Sequence, residues 1–181
     1  YRPGSTFKCS VAAEGLIEGL ITPDYTYYCG STYTYWSDYQ PKCTHHHGNE
    51  NVRTALQDSC NIFFYDLGRR LGLDAFNSMA STLGFGQKTG LEVGEATGNL
   101  STPEYHLEAT GEDWQQGNVV QSAIGQQDTQ VTPVQLATYA GAIANNGTRY
   151  RTHLVAAIRS YDFSELIEET QVEVAAQVEG D

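Results

Sequence analysis

The sequence predicts a mixed α/β (α+β) chain that is mainly helical, and three observations predict it. Residues 51–84 carry capped, periodically apolar runs in series. Thr132-Pro133-Val134-Gln135 opens another run with a complete set of helix-start signals. Near the C-terminal end the pattern changes: Leu154–Ile158 and Thr170–Val178 read as strands, with Val172, Val174 and Ala176 alternating with charged or polar neighbours.

Taken in order, Ser5 to about Leu20 reads as a helix, because Val11, Ala12, Gly15, Leu16 and Leu20 fall near helical spacing behind a Gly4-Ser5 turn. Residues 22–50 lack any helical period and read as a long loop or short hairpin. Asn51 is the expected cap of a helix carrying Val52, Ala55 and Leu56. That helix pauses near Ser59-Cys60-Asn61. The next holds Ile62, Phe63, Tyr65, Asp66, Leu67 and Leu71 and ends at Gly72. Asp74 is the expected cap of a third, which stops at Gly84. Residues 84–118, rich in glycine and polar residues, read as loops and short extended pieces. In the helix after Thr132, Leu136, Ala137, Ala140, Ile143 and Ala144 form the expected buried stripe, and Asn146-Gly147 ends it. There is no internal repeat.

Composition bounds the function. A chain of 181 residues, 40% hydrophobic, can build a core and is no disordered segment. Its formal charge of −12 repels phosphate, which disfavours nucleic-acid binding. No apolar run approaches the ~18 residues of a membrane span. The abrupt start at Tyr1-Arg2-Pro3-Gly4 reads as that of a piece cut from a longer protein. Cys9, Cys29, Cys43 and Cys60 form no CxxC pair. Cys29 and Cys43 flank a Tyr/Thr/Ser/Gly stretch. A disulfide closing it would stabilise by roughly 3 kcal/mol in an oxidising compartment; the alternative is that all four are free. Cys9 and Cys60, on helical ground, read as small buried apolar residues. The run His45-His46-His47 reads as a polar loop, because adjacent imidazoles point apart and seldom ligate one ion together. Tyr25, Tyr27, Tyr28, Tyr33, Tyr35 and Trp36 either line a groove or pack a loop. Glu165, Glu168, Glu169, Glu173 and Glu179 read as a solvated surface.

Two short motifs can carry chemistry. In Ser5-Thr6-Phe7-Lys8, positions i and i+3 share a helix face. The helix N-terminus favours an oxyanion near Ser5, and a Lys one turn on can take or relay the Ser proton once burial lowers its pKa. The second is Ser59-Cys60-Asn61, between two helices. Together with Tyr1-Arg2-Pro3-Gly4 before the first motif and Ile62-Phe63-Phe64-Tyr65 after the second, they resemble the nucleophile and second motifs of the penicillin-binding transpeptidases. Gly84-Phe85-Gly86 through Gly98 is similar to the Gly-rich segment of that family. Ile124-Gly125-Gln126, Val131-Thr132-Pro133-Val134-Gln135-Leu136-Ala137 and Ala144-Asn145-Asn146-Gly147-Thr148-Arg149-Tyr150 resemble its later segments. The resemblance runs from Tyr1 to about Val155.

The resemblance implies the mainly helical portion of an antiparallel sheet covered by helices, with residues 1–181 forming part of one transpeptidase domain whose sheet is incomplete. It implies that Ser5 attacks the carbonyl between two terminal D-Ala residues of a peptidoglycan stem peptide, that an amine from a neighbouring stem resolves the acyl-enzyme, and that β-lactam antibiotics acylate Ser5. Lys8 would be the base, Ser59 would relay a proton to the leaving amine, and Asn61 would orient the substrate amide and Lys8. No metal or organic cofactor is implied. The implied protein is anchored at the extracytoplasmic face of a bacterial membrane, within a cell-wall synthesis complex. Lys88-Thr89-Gly90 spells the family's third motif, yet it precedes the Thr132 helix where the family's motif follows it. It therefore reads as a decoy on a surface loop, and the true motif, whose strand supplies an oxyanion N–H, is expected beyond Asp181. Two other readings compete: a serine β-lactamase and a non-catalytic β-lactam sensor domain.

Overall fold

The computed structural model describes residues 1–180. Seven α-helices and three antiparallel strand pairs make an α+β arrangement among the described residues. A 3-10 turn, Gly4–Phe7, feeds α1, Lys8–Ile17. The hairpin strands β1, Tyr27–Cys29, and β2, Gly48–Glu50, follow. Next come α2, Val52–Gln57, α3, Asn61–Leu71, and α4, Leu73–Thr82. The helices α5, Pro103–Thr110, α6, Gln116–Ala123, and α7, Pro133–Ala144, complete the helical part. The last strands are β3, Thr148–Tyr150, β4, Ala157–Arg159, β5, Leu166–Glu169, and β6, Val174–Gln177. β3 pairs with β6, and β4 with β5.

Helix α1 runs through the middle, against α3 on one side and α4 on another, while α3 also packs on α6. The approach of α1 to α3 is close because Gly15 has no side chain: a Cβ there would lie 2.9 Å from Leu67 Cδ1. Phe7, Val11, Phe63, Phe64, Phe76 and Phe85 fill the core between these helices. Phe7 stacks on Phe85 and meets Phe76 edge-on, which anchors the turn carrying Ser5.

Two caps form as the sequence predicts. The Asn51 and Thr132 side chains accept from the backbone N–H three residues on, each closing a capping box. Elsewhere the structure differs. Gly72, not Asp74, is the cap residue of α4, and Asp74 sits in its first turn, where it faces the positive end of the dipole. Residues 84–118 are not all loop. Thr102 caps α5, with Pro103 in its first turn, and α6 begins at Gln116. The buried face of α7 is Gln135, Tyr139 and Ala142, whereas Ala137, Ala140, Ile143 and Ala144 are exposed and Leu136 is half-buried. Hydrogen bonds and ring stacking, rather than aliphatic content, orient this helix: Tyr139 lies 4.4 Å from the Phe85 ring. The C-terminal strands are shorter than expected, and the Glu-rich stretch contains β5, whose residues are exposed.

Candidate active site

The Ser5-Thr6-Phe7-Lys8 segment is held from three sides. Phe7 is fully buried. The Tyr139 hydroxyl donates to Thr6 O at 2.9 Å and accepts from Ser10 N–H at 2.8 Å, pinning the turn to the start of α1. Gly4 N–H donates to Gly125 O at 3.0 Å. Gly125 has φ +68°, and a Cβ there would lie 2.3 Å from Gly4 O, so only glycine permits this contact. Ser5 stays exposed on this rigid base, while Lys8, one turn on, is 1% exposed.

The second motif comes from the junction of α2 and α3. Ser59 has φ +54°, a left-handed conformation unusual for serine. It turns both oxygens of Ser59 toward Lys8, whose Nζ lies 2.8 Å from Ser59 O and 2.9 Å from Ser59 Oγ. Lys8 Nζ also donates to Asn61 Oδ1 at 2.7 Å. Ser59 Oγ in turn lies 2.6 Å from Ser5 Oγ. The structure thus brings Ser5, Lys8, Ser59 and Asn61 into one hydrogen-bonded chain with Ser59 in the middle. Burial pulls the Lys8 ammonium down from its ordinary value to about 8, partly offset by the Cys43 and Cys60 thiols nearby. The Phe64 ring, 5.6 Å away, forms part of this apolar wall.

Lys88 is exposed. Its loop belongs to a different construction. The Glu95 carboxylate accepts from Thr89 N–H and Oγ1–H and from the N–H groups of Gly90 and Leu91. Burial raises the Glu95 carboxyl, yet these donors outweigh it and hold it down at about 2. Gln135, fully buried, fastens the same segment, donating to Gln87 O at 2.6 Å and Thr97 O at 2.7 Å and accepting from Thr132 N–H at 2.9 Å.

The aromatic segment divides between both expected roles. Tyr33 is buried and its hydroxyl donates to Asp66, while Arg69 donates to the same hydroxyl and lies over the Tyr35 ring at 3.8 Å. Trp36 instead lines an open cavity of about 540 Å³ with Tyr39, Gln116 and Gln121.

Sequence reasoning missed one constellation. The ligating atoms of Cys29, Cys43, His47 and Cys60 all lie within 4.8 Å of one another. All four cysteines are free thiols, so Cys29 and Cys43 are not joined. His47 alone of the three histidines takes part, and Cys60, buried in the core as expected, also turns its sulfur to this cluster. The β1–β2 hairpin delivers Cys29 beside Gly48, next to His47. His47 Nδ1 lies 3.5 Å from Cys29 Sγ and 3.6 Å from Cys43 Sγ. A tetrahedral ion with bonds of ~2.3 Å to sulfur and ~2.0–2.1 Å to nitrogen sets S···N edges of about 3.6 Å, so the donor set has the spacing and chemistry of a Cys3His centre. Cys43 Sγ also accepts the Asn61 N–H at 3.2 Å. Burial pushes the Cys43 thiol up, yet the N–H groups of Asn61, His45 and Ile62 outweigh it and hold it at about 6.

The model of the penicillin binding protein transpeptidase domain matches residues 1–179. Peptidoglycan D,D-transpeptidase MrdA of Acinetobacter baumannii is 32% identical over 165 residues, covering 87% of this chain and 24% of that protein. The chain therefore spans about a quarter of the length of this curated relative. A solved structure described as "Structural coordination of polymerization and crosslinking by a peptidoglycan synthase complex" superposes with a TM-score of 0.83 at 34% identity, covering 100% of this chain and 30% of that one. Penicillin-binding protein A from M. tuberculosis, as its ceftriaxone acyl-enzyme complex, gives 0.80 at 26% identity, over 98% and 39%.

Proposed function

We propose, for a chain that belongs to the penicillin-binding protein transpeptidase family, that residues 1–181 are part of the acyl-transfer domain of a peptidoglycan D,D-transpeptidase and that Ser5 is its nucleophile. The observation that carries this is the chain Ser5–Ser59–Lys8.

Neutral Lys8 has two N–H bonds and one lone pair. Asn61 Oδ1 and Ser59 O lie where they can accept the two N–H bonds, and the lone pair is left for the Ser59 hydroxyl. Ser59 can then accept the Ser5 proton as its own passes to Lys8. Ser5 Oγ attacks the carbonyl between two D-Ala residues of a stem peptide, and a tetrahedral oxyanion forms. The proton returns from Lys8 through Ser59 to the leaving D-Ala nitrogen. An amine of a neighbouring stem resolves the ester by the reverse path, and a cross-link results. β-Lactams present the same carbonyl, and their acyl-enzyme persists. The acyl-enzyme recorded for the mycobacterial relative supports this reading.

Asn61 orients Lys8 and the substrate amide. Lys88 has no part in the reaction. The substrates are peptidoglycan stem peptides, and the assembly is a cell-wall synthesis complex, as the synthase complex among the relatives supports. The site of action is the extracytoplasmic face of the membrane. No helix among the described residues is long and apolar enough to cross a membrane, so anchoring is assigned to a segment other than these. The test is acylation of the full-length protein by a fluorescent penicillin, which should label the wild type and leave Ser5→Ala unlabelled.

A further inference from the structure

We propose that the cleft between the loop at 36–39 and α6 is a subsite for a primary ammonium, that of the amine-bearing residue of a stem peptide, a reading that rests on Ser5 being the acyl-transfer nucleophile. The cleft starts at the Ser5 turn. Its outer cavity, about 540 Å³, has Trp36, Asp38, Tyr39, Gln121 and Gln127 in its walls. An inner cavity of about 320 Å³ shares Gln121 and Gln127 and is bounded by Arg2 and Gln126. Gln126 Nε2 lies 3.5 Å from where a Cβ on Gly4, the residue before Ser5, would stand. A peptide whose carbonyl meets Ser5 therefore has a lined path toward Trp36.

The walls are set before any ligand arrives. A Cβ on Gly117 would lie 2.8 Å from Tyr39 Cε1, so the missing side chain lets the Tyr39 ring lie on the backbone of α6. Gln121 Nε2 donates to the Tyr39 hydroxyl at 2.8 Å, and Trp36 Nε1–H donates to Gln116 Oε1 at 2.9 Å. The two rings stand 6.2 Å apart. Behind them the buried His106 donates from Nδ1 to Asp128 Oδ2 at 2.8 Å and accepts at Nε2 from Asn118 Nδ2 at 3.3 Å. Side chains fixed in this way lose little freedom when a ligand binds.

The groups left over define the ligand. Gln121 and Asn118 spend their amide nitrogens on these bonds, and Gln121 Oε1 and Asn118 Oδ1 accept no hydrogen bond among the described residues. Asp38 is the one carboxylate lining the outer cavity; it is exposed and makes no ion pair among the described residues. Free acceptors, a carboxylate and two aromatic rings match a positive group with several N–H donors. Arg2, at the inner end, repels such a group and so places it at the Asp38 end. A phosphate or carboxylate would meet like charge at Asp38. An amine of a neighbouring stem resolves the acyl-enzyme in the proposed reaction, so stem peptides carry this group. Two stems can bring it: the one joined to Ser5 and the one that attacks.

The test uses the full-length protein as Ser5→Ala, which binds peptide without turnover. The probes are Nα-acetyl-L-lysyl-D-alanyl-D-alanine and the same peptide with its side-chain amine acetylated. In an NMR titration at low salt the free amine should bind about 5–10-fold tighter, and added salt should shrink the difference. A further Asp38→Asn change should erase the preference, and Asp38→Glu should keep most of it. Thermal denaturation should show both variants folded, because Asp38 is exposed. Wild type acylated beforehand by a penicillin separates the two sources. Loss of the amine-dependent binding assigns the subsite to the stem joined to Ser5; its retention assigns the subsite to the attacking stem. Equal binding of the two peptides, binding of neither, or a preference that survives Asp38→Asn overturns the subsite. A wild type that penicillin does not acylate overturns the reading of Ser5 instead, and the amine preference of the Ser5→Ala protein is measured independently of it.

Discussion

Ser5 Oγ and Ser59 Oγ stand 2.6 Å apart although 54 positions separate them in the chain. Lys8 reaches Ser59 and Asn61, so Ser59 is the link between the Ser5 hydroxyl and the buried amine. Replacing Ser59 by Ala should therefore slow penicillin acylation by roughly 10²–10⁴-fold, the usual worth of a positioned proton relay. The variant should keep its far-ultraviolet circular dichroism. A rate within a few-fold of wild type would remove Ser59 from the relay.

Acylation should depend on Lys8 being neutral. With the Lys8 ammonium lowered to about 8 chiefly by burial, the rate should rise with pH and level off above about 8. The same shift sets a stability trend. The unfolded chain keeps this proton up to about 10.5 and the folded chain loses it near 8, so between these values the unfolded state binds more protons. Stability should then rise with pH across that window, and the full cost of the charged Lys8 should be present below it. Lys8→Met should abolish both trends; pH–rate profiles and denaturant titrations check them.

Gly125 supports the turn before Ser5 at a point where a Cβ meets Gly4 O at 2.3 Å. Gly125→Ala should cost about 1–3 kcal/mol through its left-handed backbone alone, with the clash adding to it. Thermal denaturation should show the loss, and acylation should slow because Ser5 moves with Gly4. Unchanged values of both would show that this contact does not position Ser5.

Part of this design was legible in the sequence because it is local. The Asn51 and Thr132 caps join residues three apart, and Ser5 and Lys8 share one turn. The helix α5 announced itself by Thr102-Pro103 and was hidden by the surrounding glycines and polar residues. The helix α6 carries only Val119, Val120 and Ala123 as apolar residues and is fixed by packing against α3. The sulfur–imidazole cluster was illegible for a topological reason. Its members, at 29, 43, 47 and 60, follow no ligand spacing and meet only when the β1–β2 hairpin folds over the start of α3. The role of Tyr139 in holding Thr6 and Ser10, across some 130 positions, was invisible in the same way.

Lys88 is a test of motif reading against position. It is exposed on a segment tied down by Glu95 and Gln135, outside the Ser5 cluster. Lys88→Ala should leave acylation and stability within ~0.5 kcal/mol, about 2-fold in rate, as for an ordinary surface change. A loss of 10²-fold or more would reinstate Lys88-Thr89-Gly90 as part of the site.

The central claim, that Ser5 forms the acyl bond, is tested most directly by intact-mass spectrometry of the full-length protein after exposure to a penicillin, with peptide mapping of the adduct. The relay of Ser5, Ser59 and Lys8 predicts one covalent adduct per chain, located on Ser5 and absent from Ser5→Ala. An adduct of the same mass on Ser5→Ala, or one mapped to another residue of the wild type, would contradict it.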